Sequence, residues 1–265
     1  MVTLARGFTL IEMIISIMLF AIVGLSLGSI IQYSITIYVD TVDREELSLQ
    51  GRFVTERMNK EIRDTVPNSI RVNTEKNCIE WLPVINTAVY EKLPMAPVRS
   101  DILRILPEKN LNINDRVVVM PTTATALFAE PSADGIGRVA IVSENTPLST
   151  EVPPTMINVP LTQLTTFEAN SPVRRLYAYR TPVAYCLENS KLYRYSDYPL
   201  SRDELSPNGF SEGKRHLMAE KIKHASFEIE HQSLVRNGLV KLQFIFNDNN
   251  EEVRFDHDVL IFNTP

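Results

Sequence analysis

At 265 residues, with 44% hydrophobic and 22% charged residues, the chain has the composition of a folded protein with one long apolar segment attached, which excludes a disordered chain. A formal net charge of -5 argues against a dedicated nucleic-acid binder, which needs a cationic surplus to neutralise phosphates. Cys78 and Cys186, the two cysteines, form no CxxC pair and have no histidine at ligand spacing, so neither a zinc site nor a thioredoxin-type motif is expected.

The chain opens MVTLARGFTLIEMIISIMLF, and between Arg6 and Asp40 its one charge is Glu12. From Met13 to Val39 run 27 uncharged residues, more than the roughly 20 that a bilayer span needs. No small-residue cleavage site of the secretory kind follows the run, so the segment is expected to be retained as a membrane anchor. Arg6 precedes it, while Asp40, Asp43, Glu45 and Glu46 follow. The basic-inside rule then puts the N-terminus in the cytoplasm and the rest of the chain outside the inner membrane, where the two cysteines can oxidise. A Cys78–Cys186 disulfide is favoured there over two buried thiols.

All 16 prolines lie at position 67 or later, so residues 8–66 are expected to form one unbroken helix. Leu47, Val54, Met58, Ile62 and Val66 recur at spacings of four or seven and draw one apolar stripe, along which contacts with other subunits would be sought. Arg52–Glu56, Glu56–Lys60, Arg57–Glu61 and Lys60–Asp64 are spaced to pair along the solvated side. Pro67 is the expected stop. At about 1.5 Å per residue the rod would be roughly 88 Å long against a hydrocarbon core of about 30 Å, so half of it must pack against protein.

Residues 67–265 read mainly as strands. Short β-rich runs are expected at 78–82, 116–120, 138–142, 176–180 and 183–187, with a hairpin at Glu188-Asn189-Ser190 leading into 192–195. Asn237-Gly238 reads as a two-residue turn between strands at 226–235 and 239–246, and Asn247 to Asn250 as a second turn before strands at 252–255 and 259–262. The last 40 residues are thus expected to be an antiparallel meander. Residues 93–172, rich in Pro, Thr and Asn, are expected to be long loops with weak strands. The fold class is α+β: a long N-terminal helical spine with a mainly antiparallel β-sheet head.

The residues Gly7-Phe8-Thr9-Leu10-Ile11-Glu12, with the apolar run behind them, resemble the cleavage and methylation signature of type IV pilins and type II secretion pseudopilins. The resemblance implies that a prepilin peptidase cuts after Gly7, that the new terminal Phe8 is N-methylated, and that the helix becomes the spine of a filament. It divides the chain into a leader at 1–7, a transmembrane and filament-core helix at 8–39, its amphipathic continuation at 40–66 and a periplasmic β-rich head at 67–265. Arg52-Phe53 through Glu61-Ile62-Arg63, the hairpin from Tyr185-Cys186-Leu187 to Leu192-Tyr193-Arg194-Tyr195, and the closing Ile261-Phe262-Asn263-Thr264-Pro265 are similar to minor pilins. The implied partners are the prepilin peptidase, other major and minor pilins, the inner membrane and the pilus assembly machinery, with no cofactor and no nucleic acid.

Glu12 is explained by cutting after Gly7, because the new amine at Phe8 is also poorly solvated in the membrane. An unpaired acid mid-bilayer costs about 2.5 to 3.5 kcal/mol on insertion scales. A unit-charge pair at about 4 Å with an effective dielectric near 20 gains roughly 4 kcal/mol. Pairing therefore wins, with the amine of the same helix or of a neighbour; the resemblance implies the neighbour.

Other groupings favour ordinary readings. Alternation along a strand throws His257 to the face opposite Asp256 and Asp258, against a metal site. Asp248, Asn250 and Glu252 lack the glycine and terminal acid of a calcium loop. Tyr177 with Tyr179, and Tyr193 with Tyr195, fit cross-strand packing better than a sugar platform. Arg174-Arg175 and Lys214-Arg215-His216 are local basic spots in an acidic chain. Gly24 and Gly28 match GxxxG, which lets helices approach closely or simply loosens a spine. No nucleophile, base or phosphate-loop arrangement stands out, so no catalysis is expected.

Overall fold

The computed structural model of the chain describes residues 7–200, 205, 210, 213–230, 238–249 and 251–261. Its first element is a 54-residue helix, α1 (Leu10–Arg63). The helix ends three residues before the expected limit. Asp64 leaves helical geometry, Thr65 bridges to Pro83, and the Val66 N–H donates to the Leu82 carbonyl at 2.8 Å. Strand-type pairing thus claims the chain before Pro67 can end the helix sterically.

The strands that follow are β1 (Arg71–Val72), β2 (Cys78–Trp81), β3 (Asn86–Tyr90), β4 (Ser100–Pro107) and β5 (Arg116–Val119). After a short helix, α2 (Ala124–Phe128), come β6 (Ile136–Gly137), β7 (Val139–Ile141), β8 (Ile157–Phe167) and β9 (Arg175–Tyr179). The last are β10 (Val183–Glu188), β11 (Lys191–Ser196), β12 (Lys214–Ala219), β13 (Ile222–Glu230), β14 (Gly238–Asp248) and β15 (Glu251–Ile261). A sheet ordered β1-β2-β10-β11-β12 and a meander β13-β14-β15 share one core beneath α1.

The middle of the chain departs most from expectation. Residues 93–172 are not loops with weak strands: with their neighbours they supply a sheet ordered β6-β8-β4-β3-β9-β5-β7. Val142 bridges to Leu161, and the Ser143 N–H donates to the Pro160 carbonyl at 3.0 Å, joining the end of β7 back to β8. Six antiparallel strands therefore close into a small barrel, with β6 lying parallel to β8 at its margin. All six feed one interior cluster, for example Ala88, Leu103, Val117, Ala140, Val159 and Ala178. Each strand contributes only a few apolar residues, so no single stretch of sequence announces the core; closure assembles it.

The barrel is an insertion in the five-stranded sheet. Trp81 pairs with Val183, so the chain leaves and returns at neighbouring positions. Cys78 and Cys186 lie directly opposite in the same β2–β10 ladder and are joined as a disulfide, with both residues fully buried. The bond closes a loop of 108 positions that contains the whole barrel.

The C-terminal meander forms as expected, with two corrections. Residues 252–262 are not two strands: β15 runs unbroken through Asp256-His257-Asp258, because acids at alternate positions face solvent while Val253, Phe255, Val259 and Ile261 turn toward the core. Glu230 pairs with Leu239, and Gly238 already stands in β14 opposite Ile261. That register excludes a two-residue turn at Asn237-Gly238; Asn237 itself lies outside the described residues. The hairpin at Asn189-Ser190 is borne out, both residues taking the positive φ (47° and 63°) that the twist of a tight hairpin requires.

Leu47, Val54, Met58, Ile62 and Val66 are all fully buried against the chain's own head. The stripe is therefore an internal contact, and the expectation that it faces other subunits is corrected. Of the four expected ion pairs along the helix, Arg57–Glu61 forms, and Glu61 also receives Arg194 of β11 at 3.1 Å. Gly51 sits in the stripe where a Cβ would fall 2.0 Å from the Phe255 ring of β15. Gly51→Ala would gain about 1 kcal/mol of helix propensity, but pushing the ring away costs more, about 1 to 3 kcal/mol. A lower melting temperature is expected for Gly51→Val, largely recovered on adding Phe255→Ala; equal melting of Gly51→Val and the parent would refute the close contact.

Candidate functional site

Gly7 and Phe8 stand exposed ahead of α1, and Thr9 is extended at its N-cap. Glu12 falls in the first turn, where an acid is favoured by the helix dipole, and it is exposed. Residues 1–6, the rest of the expected leader, lie outside the described residues. From Leu10 to Tyr38 nearly every side chain is uncovered by the rest of the chain, and this part of α1 is long and apolar enough to cross a membrane. Four of its hydroxyls, those of Ser26, Ser29, Ser34 and Thr36, donate to carbonyls of the helix itself. Ser26 donates to the Ile22 carbonyl, Ser34 to Ile30 and Thr36 to Gln32, so these polar residues need no water. A Cβ on Gly24 or Gly28 would meet nothing, leaving that part of the helix surface open.

Above the apolar run the helix is anchored in three stages. Asn249 donates to Asp43 at 2.9 Å, and Lys221 bridges Glu46 at 3.3 Å and Asp248 at 2.7 Å, fastening the lower turns to the meander. Lys221 donates to Asp248, which does most to raise its pKa; burial opposes this, and the further bond that Lys221 donates to Glu46 adds to the rise. Next, Glu61 joins Arg57 and Arg194 beside the stacked Trp81 and Tyr185 rings. Burial, reinforced by Glu61, pushes the Tyr185 phenol up. At the top, the Val84 N–H donates to the Asp64 carbonyl, and Val66 packs with Val118, Tyr177 and Tyr179 on the outer wall of the barrel. The barrel thus lies beyond the last turn of α1, at the end of the head farthest from the apolar run.

A second apolar stripe on α1 is also readable in the sequence. Tyr38, Val42, Leu49 and Phe53 are spaced four, seven and four apart, within about 60° of one another at about 100° per residue. The buried stripe lies on the opposite side of the helix. Leu49 remains 60% and Phe53 53% exposed although both lie within the head-bound length of α1.

The other candidates resolve into structure. His257 does face away from Asp256 and Asp258, and among the described residues no group of three or more metal-ligating side chains forms. Tyr177 and Tyr179 are buried between barrel and α2, and Tyr195 stacks on Phe210. Lys214 pairs with Asp197, which holds that carboxyl below the usual range, and Arg215 with Glu188. A groove of about 680 Å³ runs along the barrel wall between Val89, Leu106 and the segment from Leu148 to Thr155.

Residues 3–28 match the family described as Prokaryotic N-terminal methylation motif. Neither curated proteins nor solved structures give a significant match to the chain. The matched motif and the apolar helix continuing it support a protein of type IV pilin or pseudopilin type, a structural rather than enzymatic class, and suggest membrane anchoring as in pilins.

Proposed function

We propose that the chain is a minor pilin that works by assembly, near the tip or in the initiating complex of a type IV pilus. On this reading a prepilin peptidase cuts after Gly7 and Phe8 is methylated. The subunit waits in the inner membrane with its N-terminus cytoplasmic and its head periplasmic, and Glu12 takes the terminal amine of a neighbouring subunit as it enters the filament. The observation that carries it is the methylation motif at residues 3–28 running without a break into an uncovered apolar helix that ends inside a β-rich head.

Minor status is supported by shape. A repeated subunit must fit identical neighbours all around a helical filament, and each added bulk has to be accommodated at every step. Here a complete barrel stands beyond the helix end, which suits a subunit with nothing to stack above it. The finer reading is a minor pilin of a mannose-sensitive haemagglutinin (MSHA) type pilus, of the O kind; the alternative is a J-like minor pseudopilin of a type II secretion system. The barrel-wall groove favours one further reading, a bitopic anchor carrying a periplasmic binding domain.

Mass spectrometry of the N-terminus tests the proposal. A chain that begins at methylated Phe8 is expected, whereas an intact Met1 or Val2 start in the membrane-embedded protein would favour the plain anchor. Gly7→Lys is expected to abolish the processed form and, with it, recovery in sheared filaments.

A further inference from the structure

Another cavity, of about 480 Å³, opens on the barrel where β3 ends, and the exposed Met95, Val98 and Ile102 form part of its wall. Lys92, Arg104 and Arg174 line it with one acid, Glu91, and that acid is taken by Arg104 at 3.1 Å. The cavity thus holds a surplus of two positive charges in a chain whose formal net charge is -5. Among the described residues neither Lys92 nor Arg174 makes an ion pair or a side-chain hydrogen bond. Arg174 also stands in a left-handed conformation, with φ of 54°, which glycine or asparagine takes more readily. Its backbone closes the turn into β9: the N–H donates to the Ser171 carbonyl, and the carbonyl accepts from the Tyr90 N–H, each at 3.0 Å. That turn makes no use of the guanidinium. Among the described residues the other basic side chains at positive φ, Lys76 and Lys221, are both held by acids. Beside Arg174, the Tyr90 phenol accepts from the Ser171 N–H at 2.7 Å and donates to the side-chain carbonyl of Asn170. The amide N–H groups of Asn170, on the cavity wall, are left without a partner among the described residues.

We propose that this cavity binds a small aliphatic carboxylate, with Arg174 and Lys92 taking the carboxylate and Met95, Val98 and Ile102 covering the aliphatic body. The inference goes beyond the filament reading and stands independently of it. The planar fork of an arginine matches the two oxygens of a carboxylate, and a lysine beside it adds a point charge. Two unpaired cations on one cavity repel each other until an anion lies between them. A phosphate fits the fork as well but carries more charge, and no part of it gains from aliphatic side chains. Among the described residues the aromatic ring on the cavity wall is that of Tyr90, which is buried, so neither a sugar nor a base finds a face to stack on. The same chemistry is offered by a free short-chain acid and by the C-terminal residue of a peptide, and suitable probes separate the two.

The test is saturation-transfer NMR on the full-length chain in a nonionic detergent. The probes are 4-methylpentanoate as the free acid, N-acetyl-leucine as the peptide terminus, N-acetyl-leucinamide as its neutral counterpart and inorganic phosphate as competitor. Expected is binding of the acids about tenfold or more tighter than of the amide, with phosphate displacing neither acid at matching concentration. Tighter binding of N-acetyl-leucine assigns a peptide end; equal or tighter binding of 4-methylpentanoate assigns a free acid. Arg174→Gly should weaken the acids about tenfold or more at an unchanged melting temperature, because glycine takes the positive φ without strain. No binding of either acid, equal affinity for acid and amide, displacement by phosphate, or undiminished binding by Arg174→Gly overturns the site. Should Arg174→Gly melt well below the parent, Lys92→Gln decides: a loss of about tenfold in acid binding upholds the inference, and undiminished binding overturns it.

Discussion

Replacing Cys78 and Cys186 together with serine is expected to lower the stability of the head by about 4 to 5 kcal/mol, the loop-closure value for a cross-link spanning 108 positions. The location of the bond makes the effect regional as well as large. It spans the β2–β10 ladder where the barrel leaves and rejoins the sheet, so its loss frees the neck of a long insertion. Denaturant titration of the full-length chain in detergent should show a lower midpoint. Hydrogen exchange should show the greatest loss of protection in β2 and β10, with β14 less affected. An unchanged midpoint, or a loss confined to the meander, would show that the ladder holds the neck closed without the bond.

Glu12→Ala should leave membrane insertion intact and remove the chain from filaments. Deleting the carboxylate makes the apolar run more apolar, so partition into the bilayer cannot suffer. What it removes is the one charge in the span able to meet an incoming amine. The expected readout is an undiminished membrane fraction, normal cleavage after Gly7 and a drop of about tenfold or more in the filament fraction. Glu12→Asp, which keeps the charge on a shorter arm, should fall between the two. Normal incorporation of Glu12→Ala would count against the counter-ion role and leave the matched motif without its physical explanation.

The helix was legible because its information is local: an uninterrupted apolar run, an absence of proline and a stripe at helical spacing each announce themselves within a few turns. The hairpin at Asn189-Ser190 and the turn before β15 were legible for the same reason, since short connections constrain their own backbone. The barrel was not. Ala88, Val117 and Ala140 come from short runs broken by proline and threonine, and what makes them a core is the pairing of β7 with β8, which closes the ring. The merging of two expected strands into β15 follows the same logic: Asp256 and Asp258 look like an interruption until the helix beneath decides which face of the strand is inside.

The sequence by itself determined the α+β class, the apolar spine and the placement of Glu12 behind Gly7-Phe8, and it favoured a disulfide that the structure then shows. These depend on composition, spacing and charge along the chain. Only the tertiary structure decided which of the two apolar stripes on α1 the head consumes and which it leaves free. It alone placed the barrel beyond the helix end, because burial and ring closure join residues far apart in sequence, and no local preference encodes which distant partner will cover a given face.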